Sequence, residues 1–291
     1  MEHWDLTRVH EANLKLLKEI DRICRKYKIK YMIDSGTLLG AVRHQGFIPW
    51  DDDADVIFTR PNYEKFLKVA GRELPEGMTL LRPEDIRGGK VFYDFTTRII
   101  YDNSRVHEDN EQMQFYEGKL NHIWVDLFII DRLPESRFGA FFAKFLQKVV
   151  YGMAIAHRDR IDFSKYSLAD KIRVGTLSAA GRLVPMPVLF RLQTALAAKD
   201  RNKRTGKRYC SNYQPDFLYV TLDEDWCEKT VDLPFEDASL PLPANYDEYL
   251  TRTYGDYMKI PDEQDRVTHG DLIVDLEKGY EHYQKKGQGS C

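Results

Sequence analysis

Trp50-Asp51-Asp52-Asp53-Ala54-Asp55-Val56-Ile57-Phe58 is the stretch that decides how this chain of 291 residues is read. Four acids run directly into an apolar trio, so Ala54 to Thr59 reads as a buried strand entered from an acidic end. Side chains on a strand alternate, which sends Asp53 and Asp55 to the same side. Two carboxylates held side by side repel each other unless a cation or a proton stands between them. Hard oxygen ligands suit magnesium, with manganese as the substitute, and such ions are held by one or two carboxylates plus substrate phosphates. The competing reading is a solvated acidic loop. Trp50 and Val56-Ile57-Phe58 on either side speak for partial burial.

Upstream, a tight turn at Asp34-Ser35-Gly36 leads into a helix expected over Thr37 to Arg43. Backbone N–H groups at such a helix start can cradle phosphate, which makes Ser35, Gly36 and Thr37 candidate substrate contacts. His44-Gln45-Gly46 and Pro49 end the helix. Arg43 and His44 are further candidate phosphate contacts, with surface pairing to Asp51 or Asp52 as the alternative. Asp51 shares the parity of Asp53 and is expected to support the site. Farther upstream, Leu6 to Tyr27 has the spacing of an amphipathic helix, followed by a short strand over Lys30 to Ile33.

Downstream, Pro61 can open a helix, and Met78 to Leu81, Val91 to Tyr101 and His122 to Ile130 have strand character. Asp126 is an acid inside the apolar run Ile123-Trp124-Val125-Asp126-Leu127-Phe128. A buried acid needs a partner. Asp126 is therefore a candidate third metal ligand, a base for an acceptor hydroxyl, or a core acid paired with Arg98.

The second half turns helical over Arg137 to Arg158 and Ile172 to Ala198, the latter broken by Pro185 and Pro187. Lys199 to Arg208 reads as an exposed linker and Tyr246 to Tyr254 as a helix. The expected fold is α+β, a mixed sheet flanked by helices. Residues 1–135 would form the catalytic core and 136–291 a mainly helical lobe completing the site.

Bulk composition, 43% hydrophobic and 31% charged, fits a globular protein. A net charge of -3 lacks the basic footprint of a nucleic-acid binder. Cys24, Cys210, Cys227 and Cys291 are scattered, so neither zinc nor a disulfide framework is expected. No apolar run reaches about 18 residues, so no membrane span is expected and the location is read as cytoplasmic. Arg137 to Arg158, with Phe138, Phe141, Phe142, Lys144, Phe145 and Lys148, is either a core helix or a peripheral contact at the inner face of a membrane.

The motif from Ser35 to Asp55 closely resembles the signature of the LicD family, the bacterial phosphocholine transferases, with the fukutin-related ribitol-phosphate transferases as distant relatives. Trp124 to Asp131 is similar too. So is a block running from Tyr249-Leu250 through Tyr254-Gly255-Asp256-Tyr257-Met258 to Pro261, Arg266 and His269. The resemblance implies a nucleotidyltransferase-like fold and magnesium-dependent transfer of phosphocholine from CDP-choline to a sugar hydroxyl of a teichoic acid, lipopolysaccharide or related lipid-linked glycan. It implies that Asp53 and Asp55 hold the metal, that Asp126 is the third ligand or the base, and that Arg266 and His269 reach the pyrophosphate. The alternatives are another CDP-activated donor, carrying ribitol or glycerol phosphate, and a non-catalytic module that binds a nucleotide or glycan. Choline is attracted to ring faces, and Trp50, Tyr93, Tyr116 and Trp124 are the candidate cage.

Overall fold

A computed structural model describes residues 6–108, 110–218 and 220–266. Helix α1 (Thr7–Tyr27) buries Val9, Leu16, Leu17, Ile20 and Ile23 on one stripe and ends where Lys28 turns left-handed, a common helix stop. There follow β1 (Met32–Ile33), α2 (Ser35–His44), β2 (Asp55–Thr59), α3 (Arg60–Glu73), β3 (Met78–Leu81), β4 (Thr97–Tyr101), α4 (Glu111–Phe115) and β5 (Ile123–Arg132). Pro61 stands in the first turn of α3, where its missing N–H is no loss.

The sheet runs in the order β1-β2-β5-β4-β3. β2 and β5 pair in parallel, and the other pairs on this path are antiparallel. Residues 55–58 of β2 are buried, which explains the unbroken apolar run after Asp55. Helices α1 and α3 share one large core with this sheet. At the far end of β5, the Arg60 guanidinium grips Asp131 with Nε, at 2.9 Å, and with one terminal nitrogen, and Ser211 Oγ donates to the same carboxylate at 2.6 Å. Asp131, quoted above with the family motif, is thus a structural acid.

Three helices, α5 (Arg137–Ala154), α6 (Leu168–Gly181) and α7 (Met186–Ala197), form a lobe. Val150, Tyr151, Ala154, Met186 and Leu189 meet Phe92 and Phe95 in its own core. The chain then returns to the sheet. β6 (Lys207–Cys210) pairs with β5 and β7 (Thr221–Asp223) pairs with β6, while β8 (Thr230–Phe235) and β9 (Ala238–Pro243) make a hairpin. Helix α8 (Tyr246–Tyr254) follows.

Several expectations shift. The strand expected from Val91 shortens to Thr97–Tyr101, because Phe92 and Phe95 are drawn into the lobe's core. Helix α2 begins at Ser35, so the expected turn is its first turn. The stretch expected as a linker ends in β6, so residues beyond 200 build part of the main sheet. The expectation of no span-like segment also needs correction. Arg137–His157 is long and apolar enough to cross a membrane by length and composition, since its lysines are too few to offset the aromatic content. Its second half is nevertheless packed inside the lobe.

Candidate active site

Asp55 opens β2, and its register partner on β5 is Asp126. Register partners on parallel strands face the same side of a sheet, and both residues line one cavity of about 310 Å³. Although β2 begins only at Asp55, Asp53 lines this cavity too, as do Asp52 and Asp94. The acids expected to converge from sequence do share a wall.

Charge is costly in such a place. Burial, then the charges of Asp53, Asp126 and Asp34, pushes the Asp55 carboxyl well above the usual range. Asp126 is pushed up to about 6, chiefly by burial, while the Arg98 guanidinium beside it works the other way. Arg98 Nε lies 2.9 Å from Asp126 Oδ1, and its two terminal nitrogens hold Asp94 at 3.0 and 2.5 Å. The guanidinium also lies over the rings of Trp124, 4.8 Å away, and Tyr93, 5.4 Å away. Trp124 Nε1 donates to Asp126 Oδ2 at 3.2 Å. The core pairing weighed for Asp126 is therefore real, and it coexists with the cavity position. The Arg98 contact is an ion pair and not a hydrogen bond, so Asp126 Oδ1 is buried without a hydrogen-bond donor among the described residues.

The backbone around Asp55 is fixed from α2. Asp55 N–H donates to Thr37 Oγ1 at 2.9 Å, and Asp34 N–H donates to the Asp55 carbonyl at 3.1 Å. Tyr249, on α8, donates its hydroxyl to Asp34 Oδ1 at 2.5 Å. Thr37 is buried, so it positions Asp55, which replaces the donor contact expected of it. Ser35 has φ of +51°, a left-handed conformation uncommon outside glycine. At Gly36 an added Cβ would lie 2.1 Å from Asp51 Oδ2. Gly36 thus makes room for the Asp51 carboxylate at the helix start where phosphate was expected.

Arg43, His44 and Arg266 gather around Trp50. The two guanidinium carbons lie 5.9 and 4.7 Å from its ring centroid, and the His44 ring meets it edge-on at 6.0 Å. Arg43 also donates to the carbonyls of Tyr257 and Lys259 at 3.0 and 3.4 Å and to His44 Nε2 at 2.9 Å. Arg266 Nε donates to the Pro261 carbonyl at 3.1 Å. His269 lies outside the described residues.

Of the four rings named for choline, Tyr93 and Trp124 line the cavity. Trp50 keeps company with arginines, and Tyr116 is buried in a neighbouring core with its hydroxyl donated to the Phe92 carbonyl. Phe128 and Tyr213 line the cavity without having been anticipated. Burial and the charges of Asp55 and Asp53 raise the Tyr213 phenol. Tyr254, at the end of α8, keeps 44% of its surface exposed, yet desolvation and then the charges of Asp34, Asp55, Asp51 and Asp53 raise its phenol. Its distance in sequence from the acids gave no signal of this closeness.

The donors fit a hard divalent cation. They are all carboxylates, and Asp55 carries repulsion from Asp53 and Asp126 that a cation would relieve. Among the described residues, no three histidine, cysteine, aspartate or glutamate side chains form a ready-made cage. Asp53 and Asp55 are the pair that fits best, since Arg98 and Trp124 already hold Asp126.

Residues 28–187 match the LicD/FKTN/FKRP nucleotidyltransferase domain. The chain is 28% identical over 268 residues to the lipopolysaccharide cholinephosphotransferase LicD of Haemophilus influenzae, covering 88% of this chain and 92% of that protein. A shorter match, 60% identical over 42 residues, joins it to an uncharacterised protein of Rickettsia prowazekii, covering 14% of this chain and 16% of that one.

Proposed function

The chain belongs to the LicD/FKTN/FKRP nucleotidyltransferase-domain family and is a phosphotransferase, and from that premise we propose that it moves phosphocholine from CDP-choline to a sugar hydroxyl of a lipopolysaccharide or teichoic acid. One observation carries the reading: Tyr93, Trp124, Phe128 and Tyr213 line the same cavity as Asp53, Asp55 and Asp126. A quaternary ammonium has no hydrogen bond to offer and is drawn to ring faces and negative charge. Ribitol or glycerol would instead need polar partners for each buried hydroxyl.

Magnesium, or manganese in its place, would be held by Asp53 and Asp55 and, when bound, neutralises charge on the donor's diphosphate. Asp126 is the base. With a pKa of about 6 it is mostly ionised at neutral pH, yet basic enough to accept a proton. The acceptor oxygen bonds to the phosphorus bearing choline, the bond from that phosphorus to CMP breaks in line, and the hydroxyl proton passes to the Asp126 carboxylate. Arg98, held by Asp94, keeps Asp126 oriented and ionised. Thr37 fixes the backbone of Asp55. Arg43 and Arg266 set positive charge beside Trp50, where an anionic donor is attracted.

Purified protein incubated with CDP-choline, CDP-ribitol or CDP-glycerol and a choline-free lipopolysaccharide tests this. CMP release from CDP-choline should exceed that from either alditol donor by at least about tenfold, a difference of roughly 1.4 kcal/mol in transition-state binding, and should stop on chelation. Donor binding with no CMP release under any metal would favour the non-catalytic module.

A further inference from the structure

We propose that the outer face of the three-helix lobe, led by the first half of α5, docks on an anionic lipid surface. Phe138, Phe141, Phe142 and Phe145 are 79%, 67%, 47% and 48% exposed. They recur at spacings of three and four, so they form one stripe. Their rings stack on one another, with centroids 6.3 to 6.4 Å apart. Soluble proteins seldom leave such a stripe in water. On α6, which packs on α5, Leu168 and Ile172 stand out four residues apart at 77% and 63% exposure. Among the described residues, ten of the fifteen large exposed hydrophobics fall between 138 and 192. The apolar surface is therefore a property of this lobe and not of the molecule at large.

Charge selects the occupant. Residues 137–200 hold eleven lysines and arginines against four acids, in a chain whose net charge is -3. Helix α5 itself contains Arg137, Lys144 and Lys148 and no acid. A second copy docked on the same face would set these bases against themselves, whereas anionic headgroups complement them and aromatic rings sit at the headgroup boundary. Arg158, at the end of the apolar segment, is committed inward. It donates to the Tyr93 carbonyl and the Tyr151 hydroxyl. Nor does α5 cross the bilayer in this fold, because Gln147, Val150, Tyr151 and Ala154 are buried on its packed half. The contact is interfacial. It does not depend on the identity of the donor.

The test is co-sedimentation of the full chain with vesicles of phosphatidylcholine alone or mixed equally with phosphatidylglycerol. Wild type should bind the mixed vesicles at least about tenfold more tightly, and Phe138→Ser/Phe141→Ser should lose about tenfold with little change in melting temperature, since these two rings are the most exposed of the four. Lys144→Glu/Lys148→Glu should remove the preference for the anionic lipid. Absence of wild-type binding, undiminished binding of the phenylalanine variant, or a dimer in sedimentation velocity that the same variant dissociates would each overturn the proposal.

Discussion

Asp55 and Asp126 are register partners across what is, among the described residues, the only parallel strand pair on the main path of the sheet, and Arg98 ion-pairs with the second of them. One acid of the pair therefore has a buried counter-charge, and the other has no ion pair among the described residues.

Divalent ions should stabilise the protein through that unpaired acid. Addition of magnesium should raise the melting temperature, with up to about 3 kcal/mol expected at a hundredfold excess over Kd. Asp55→Asn should itself melt no lower than wild type at pH 8, because it removes a charge that burial and its neighbours oppose. It should lose both the magnesium response and CMP release. Differential scanning fluorimetry with and without the ion separates the two effects, and a full magnesium shift in Asp55→Asn contradicts the assignment.

Activity should fall as pH drops through about 6. Asp126 has its folded pKa raised to about 6 from an unfolded value near 3.9, so its proton-accepting form is lost below pH 6. The same shift acts on stability with the opposite sense. The penalty for its buried charge is full above pH 6, shrinks as pH falls, and is gone below about 4. Arg98→Gln should move the acid limb of kcat/KM upward, since the guanidinium favours the ionised acid, and Arg98→Lys should move it less.

Two glycines should respond differently to alanine. At Gly36 the new Cβ meets the far end of the Asp51 side chain, which can swing aside, so the fold should survive and activity should drop. At Gly40 it meets the Gly46 carbonyl at 2.4 Å and Ile48 N at 3.2 Å, both backbone. Gly40→Ala should destabilise by about 1–3 kcal/mol. Urea denaturation of the pair, with the turnover of each, checks the contrast.

Arg60→Ala should cost about 3–5 kcal/mol, because it strands Asp131 in the core. Asp131 is 1% exposed, and its remaining partner is the Ser211 hydroxyl. The expected fall in melting temperature is roughly 10 °C, with the metal response at Asp53 and Asp55 retained by whatever fraction stays folded.

Much of the site could be read in the chain because it is local. Asp53 and Asp55 are two residues apart, and the apolar trio after them says which strand carries them. Asp126 was marked by its setting, an acid among buried residues of β5. Gly36 was noticed for a helix start, but its service to Asp51 depends on a loop folding back across fourteen residues. Tyr213, Tyr254 and Asp94 carried no local sign at all. They reach the acids from the turn after β6, from α8 and through the Arg98 side chain.

What the sequence determined by itself was the periodic and the adjacent: the helices α1, α3 and α8, the strands β2, β3 and β5, and the acidic motif with its family resemblance. Alternation and helical spacing are properties of the backbone, visible wherever neighbours in sequence share a face. Which acid would be neutralised and which left exposed to a cation, and whether four phenylalanines would be core or surface, was decided only by tertiary packing. Those outcomes depend on how much water and which distant side chain each group finds, and no stretch of sequence contains its own surroundings.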